Sequence, residues 1–148
     1  MLPMDDFQET SFFKHHSISD LPTTDQIYAA ALPGYTCFVS IFPTLSLAVK
    51  YGIGPTSVHC ASASESGGQT MWALCKFLPQ VHVPEVYGWK CDGDELFVFM
   101  ELIKGDPLCN CWKNLTELEK MQICIELDAM VHASCCLVHP PKDESIGK

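Results

Sequence analysis

The chain reads as an α+β domain, an antiparallel sheet carrying one packed helix and followed by a second helical stretch. Three observations predict it. Hydrophobic residues make up 47% of the 148 and charged residues 18%, enough apolar side chain to bury a core. Alternating or β-branched extended runs occur at 35–51 and again at 83–102. Runs with helical spacing, each closed by a stop signal, separate and follow them.

The elements follow in chain order. Residues 1–24 are polar and turn-prone, with Asp5-Asp6 and Lys14-His15-His16, and read as an arm leading into Leu21-Pro22-Thr23-Thr24. Thr24 is the expected N-cap of a short helix over Asp25–Leu32, closed by Pro33-Gly34. Tyr35 to Tyr51 predicts two antiparallel strands about Pro43-Thr44. Cys37, Val39 and Ile41 share one face of the first, and Leu45, Leu47 and Val49 one face of the second.

Gly52 to Gly68 has no periodicity and reads as a loop. Ser66 and Gln69 resemble a capping box, and Met71, Leu74, Cys75 and Leu78 then form a helical stripe that Pro79 stops. Val83–Lys90 and Glu95–Leu102 predict a hairpin about Cys91-Asp92-Gly93-Asp94. Leu115 to about Cys136 is the longest helical candidate. Thr116 and Glu119 form its capping box, and Leu118, Met121, Cys124, Ile125, Leu127 and Val131 give a broad apolar face. Residues 140–148 are a polar tail. The expected organisation is thus an arm (1–24), a sheet-bearing lobe (25–102), a connector with the first helices of a second lobe (103–139) and a loose tail (140–148).

Charge and cysteine usage exclude whole classes. The 9 Lys and Arg against 18 Asp and Glu leave a net charge of −9, which disfavours a nucleic-acid partner. The nine cysteines are an odd count, and Met1 to Glu9 lacks the basic and apolar regions of a signal peptide, so reduced thiols and a cytoplasmic location are expected. The uncharged stretch 26–49 is interrupted by Pro33-Gly34 and Pro43, so no membrane span is expected. Cys109, Cys111, His132, Cys135, Cys136 and His139 cluster late in the chain without a Cys-x-x-Cys knuckle, and core cysteines account for them better than zinc. His15, His16, His59 and His82 have no spaced nucleophile.

Two motifs carry chemistry. Leu47-Ala48-Val49-Lys50 has the spacing of a strand in which Lys50 and Ala48 share a face, the lysine able to neutralise phosphates and the alanine small enough for a flat base to lie on it. A solvated lysine at a strand end is the plain alternative. Glu95 to Leu102 is an apolar strand running into Ile103-Lys104-Gly105, which suits a hinge. Met100 would back the pocket, while the Glu101 carbonyl and the Ile103 amide would meet a base edge. An ordinary central strand ending in a turn fits that pattern too.

With these motifs the chain resembles the N-terminal part of fungal aminoglycoside phosphotransferase domain proteins, which have the protein-kinase-like fold. The matching text includes Phe12-Phe13-Lys14, Leu21-Pro22-Thr23 and Ser46 through Gly52. It continues with Gln69-Thr70-Met71-Trp72, Leu78 through Trp89 and Phe99 through Gly105. The resemblance spans about residues 12–140, with the Leu78–Trp89 run the most family-specific part. It implies ATP- or GTP-dependent phosphoryl transfer with Mg²⁺ to a small-molecule hydroxyl. Lys50 is then the phosphate-pairing lysine, and Ala48 and Met100 through Ile103 the base-facing residues.

Two departures qualify what the resemblance implies. The helix glutamate that should pair with Lys50 aligns with Gly67, and the nearest acid is Glu65. No His-Gly-Asp, His-Arg-Asp or Asp-Phe-Gly run occurs, and Asp92-Gly93-Asp94 is read as a turn, so no catalytic base or Mg²⁺ ligand is assigned. The expectation is a catalytically incomplete phosphotransferase fragment that keeps a nucleotide lobe. The alternative is a non-catalytic, pseudokinase-like regulatory protein. A single lobe would also leave the 115–136 helix uncovered and prone to self-association.

Overall fold

In the computed structural model, residues 7–31, 38–53, 65–92 and 95–135 are described. The elements are α1 (Thr24–Ala29), β1 (Phe38–Phe42), β2 (Leu47–Ile53), α2 (Glu65–Phe77), β3 (Val86–Asp92), β4 (Glu95–Glu101), α3 (Leu108–Cys111) and α4 (Glu117–Cys135). The four strands form one antiparallel sheet in the order β1-β2-β4-β3. The chain leaves β2, forms α2, makes β3 at the far edge and returns along β4 into the gap between β2 and β3. This places α+β architecture, as the periodicities predict, around a strand buried on both faces.

β4 is that strand. Leu96, Phe97, Val98, Phe99 and Met100 are all buried, because each face of the sheet has its own cover. On one face Leu47, Val49, Tyr51, Tyr87, Phe97 and Phe99 pack with Ile27 of α1 and with Phe12. On the other, Ala48, Val86, Leu96, Val98 and Met100 pack with Phe7 and with Met71 and Trp72 of α2. A strand covered on both sides loses its alternation and becomes continuously apolar. The polar segment expected to be an arm thus supplies Phe7 and Phe12 to the two halves of the core.

Local boundaries depart from the spacing rules in readable ways. The N-cap of α1 is Thr23 rather than Thr24: its Oγ1 accepts from Gln26 N, and Gln26 Oε1 accepts from Thr23 N at 2.9 Å. α2 starts at Glu65, so Ser66 lies inside the helix instead of capping it. β3 begins at Val86, after Pro84, and runs on to Asp92. A bulge between Val86 and Gly88 shifts its register on β4, and Gly88 takes φ 149°, which favours glycine. The predicted hairpin joins β3 to β4, with Gly93 and Asp94 outside the described residues.

α4 follows the Thr116–Glu119 capping box: Thr116 N donates to Glu119 Oε2 at 2.7 Å and Glu119 N to Thr116 Oγ1 at 3.3 Å. No residue of α4 is buried. Leu118 is 76% exposed, and Met121, Ile125, Leu127 and Val131 are exposed with it. Among the described residues no helix is long and apolar enough to cross a membrane.

Candidate functional site

The strand register brings the two chemistry-bearing motifs together. Ala48 lies directly opposite Met100, and Lys50 directly opposite Val98, across the β2–β4 ladder. Residues opposite one another in an antiparallel pair share a face. Ala48, Lys50, Val98 and Met100 therefore occupy one face of the sheet, the face on which α2 packs.

That face is covered unevenly. α2 lies over the β3–β4 side, where a Cβ built on Gly68 would stand 3.1 Å from Trp89 Cε3 and 3.6 Å from Val98 Cγ2. The β1–β2 side is less covered by the described residues. Val39 pairs with Lys50 and Ile41 with Ala48, so both belong to the same face, yet they are 38% and 40% exposed. The shared face expected for Val39 and Ile41 is thus an open one. Ser40, between them, is buried on the opposite face, and its hydroxyl donates to Ile27 C=O at 2.6 Å. That bond satisfies a carbonyl in the last turn of α1, one of the groups a helix end leaves unpaired.

The result is a shallow apolar shelf of Val39 and Ile41, with Ala48 buried at its inner margin at 8% exposure and the exposed Lys50 at its edge. Val39 and Ile41 are the site residues that spacing alone missed. Lys50 makes no ion pair with a described acid. Glu65 is the first residue of α2, but its side chain lies outside the described residues, and Gly67 has none to pair with Lys50.

The connector completes the shelf. Glu101 N donates to Glu85 C=O and Leu102 N to Ser46 C=O, each at 2.9 Å, so the end of β4 is tied to both neighbours. Beyond it the chain is exposed, and Ile103 N donates to no acceptor among the described residues. Gly105 takes φ 150° with open space around it. A backbone donor with no acceptor among the described residues, an apolar shelf and a lysine are groups that suit a flat, polar-edged ring with an anionic tail.

Other sequence candidates do not converge. Asp92 Oδ2 accepts from Thr24 Oγ1 at 3.3 Å, a tie between β3 and α1. Cys109 and Cys111 lie on α3, Cys124, His132 and Cys135 on α4, and Cys136 and His139 outside the described residues. Among the described residues no group of three His, Cys, Asp or Glu side chains is arranged to hold a metal ion. Comparison with protein-family models, with curated proteins and with solved structures finds no match. The fold and site therefore define an α+β domain with a lysine-edged apolar shelf.

Proposed function

We propose that the chain is the nucleotide-binding lobe of a kinase-like phosphotransferase of the aminoglycoside phosphotransferase type. The observation that carries the reading is the juxtaposition of Ala48 with Met100, and of Lys50 beside them, on the face that α2 shares. Its support is the order of parts: a lysine strand, one helix packed on the lysine's face, a hairpin whose second strand lies beside the lysine strand, then an exposed connector. This is the arrangement the resemblance requires of an ATP- or GTP-binding lobe.

The residues fit a nucleotide. The purine would lie on Val39, Ile41 and Ala48 with Met100 behind it, its edge meeting the Glu101 carbonyl and the Ile103 amide. Lys50 would neutralise phosphate charge, a local task that the overall charge of −9 makes necessary. Mg²⁺ has no donor set among the described residues, and no catalytic step is derived through it. The small-molecule acceptor would be held by residues beyond this lobe.

A second reading, a nucleotide-binding regulator without catalysis, is favoured by one fact. The 148 residues contain no His-Gly-Asp, His-Arg-Asp or Asp-Phe-Gly run to supply a base or metal carboxylates. Titration of the full chain with a fluorescent ATP analogue tests both readings. Saturable binding that falls about tenfold or more in Lys50→Ala supports a nucleotide lobe. Absence of binding in the wild type removes both, and phosphoryl transfer or hydrolysis by the chain removes the regulator.

A further inference from the structure

We infer that the segment Phe7–His16 is a clamp that sets the first turn of α2 against the sheet beside Lys50, with Phe7 and Trp89 as its positioning residues. The inference deepens the nucleotide reading and rests on it for its functional consequence.

Phe7 is buried at 3% exposure, and its ring meets Trp89 edge-on, with centroids 5.1 Å apart and planes at 78°. Trp89 also meets α2 itself, because Gly68 approaches the indole so closely that a Cβ there would stand 3.1 Å from Cε3. Trp89 is thus held between the segment and the helix. The same Gly68 stands over Val98, the register partner of Lys50. Contact passes without a gap from Phe7 through Trp89 to the helix turn beside the lysine strand. Farther along α2 the segment does not touch so tightly: a cavity of about 360 Å³ lies between Glu9 and Thr10 on one side and Trp72, Cys75 and Lys76 on the other.

The clamp is fastened at the β3 edge. Ser11 N donates to Glu85 Oε1 at 3.2 Å, its hydroxyl donates to Glu85 Oε2, and it stands 3.3 Å from Tyr87 Oη. Thr10 Oγ1 donates to Phe7 C=O at 2.7 Å and closes the turn behind the Phe7 ring. Phe12 then crosses to the opposite face, 5.2 Å from Tyr87, among Ile27 and Leu21. One short segment therefore straddles the edge strand, Phe7 on the α2 face and Phe12 on the α1 face. The two aromatics are equally buried, so they should contribute similarly to stability, but only Phe7 bears on the helix beside Lys50.

The full chain carrying Phe7→Ala, Phe12→Ala, Phe7→Leu or Ser11→Ala tests this by amide hydrogen exchange without ligand and by titration with the fluorescent ATP analogue. Phe7→Ala is expected to speed exchange in Gly68 to Met71 and to weaken analogue binding about fivefold. Phe12→Ala should loosen α1 and leave both readouts at α2 unchanged. Phe7→Leu should restore most of the protection, and Ser11→Ala should act in the direction of Phe7→Ala with a smaller effect. Equal acceleration at α2 in Phe7→Ala and Phe12→Ala, or none in Phe7→Ala and Ser11→Ala, overturns the clamp. If exchange responds as expected while the wild type binds no nucleotide, the clamp stands and the nucleotide reading falls.

Discussion

β4 and α4 are the two most apolar stretches of the second half of the chain, and they meet opposite fates. Five consecutive residues of β4 are buried, whereas none of the nineteen residues of α4 is. The difference lies in partners. β4 sits between two strands and beneath α2 on one face and Phe12 and Ile27 on the other. α4 carries Leu118, Met121 and Ile125 on one side and Ile123, Leu127 and Val131 on others, so no single stripe meets a surface. Charged residues, Glu119, Lys120, Glu126 and Asp128 among them, interleave with these, and α4 buries none of its residues. Apolarity alone says that a segment wants cover; only the neighbouring elements say whether this chain supplies it.

Substitutions break or sharpen that contrast. Phe97 is fully buried, with its ring stacked 5.5 Å from Tyr51, and Phe97→Ala is expected to cost about 3–5 kcal/mol by denaturant unfolding. Leu118→Ala on α4 should stay within about 0.5 kcal/mol, and a large loss there would mean that α4 is covered after all. Ser40→Ala removes the donor to Ile27 C=O inside the core and should cost about 1–3 kcal/mol, more than its small volume implies. Exchanging Leu118 and Ile125 for Gln should leave the unfolding midpoint in place while lowering concentration-dependent light scattering, since exposed apolar patches promote association.

The smallest effect concerns acid. Glu119 accepts hydrogen bonds from the Thr116 backbone N–H and, second, from its hydroxyl, and these hold its carboxyl below the ordinary 4.5. A carboxylate lowered in the folded state contributes stability that is complete above its unfolded value and is lost as pH falls through the folded one. The first turn of α4 should therefore fray only below about pH 4.5, and Glu119→Gln should flatten that dependence in amide exchange. Fraying that begins nearer neutrality would contradict it.

Much of the fold was legible because its signals are local. Alternation marked β1 and β2, Thr116 and Glu119 marked the start of α4, and Pro79 marked the end of α2. The pairing of Ala48 with Met100 was legible only in part, since both motifs could be read but their apposition depends on β4 inserting between β2 and β3. Long-range placement of that kind is not encoded in any window of residues. The same limit hid Phe7 and Phe12, which look like isolated aromatics in a polar stretch until the sheet edge they straddle is in place. Val39 and Ile41 share one face as their alternation indicates, but alternation does not say which face is covered.

In the proposed function, Val39, Ile41 and Ala48, with Lys50 and the connector at Ile103, would hold a nucleotide. Backbone chemical-shift mapping of the full chain titrated with ATP tests it most directly. Shifts should concentrate at residues 39–41, 48–50 and 100–103, with the α4 amides unmoved. Shifts confined to α4 or to the cavity between Glu9 and Lys76, or no shifts at saturating ATP, would contradict it.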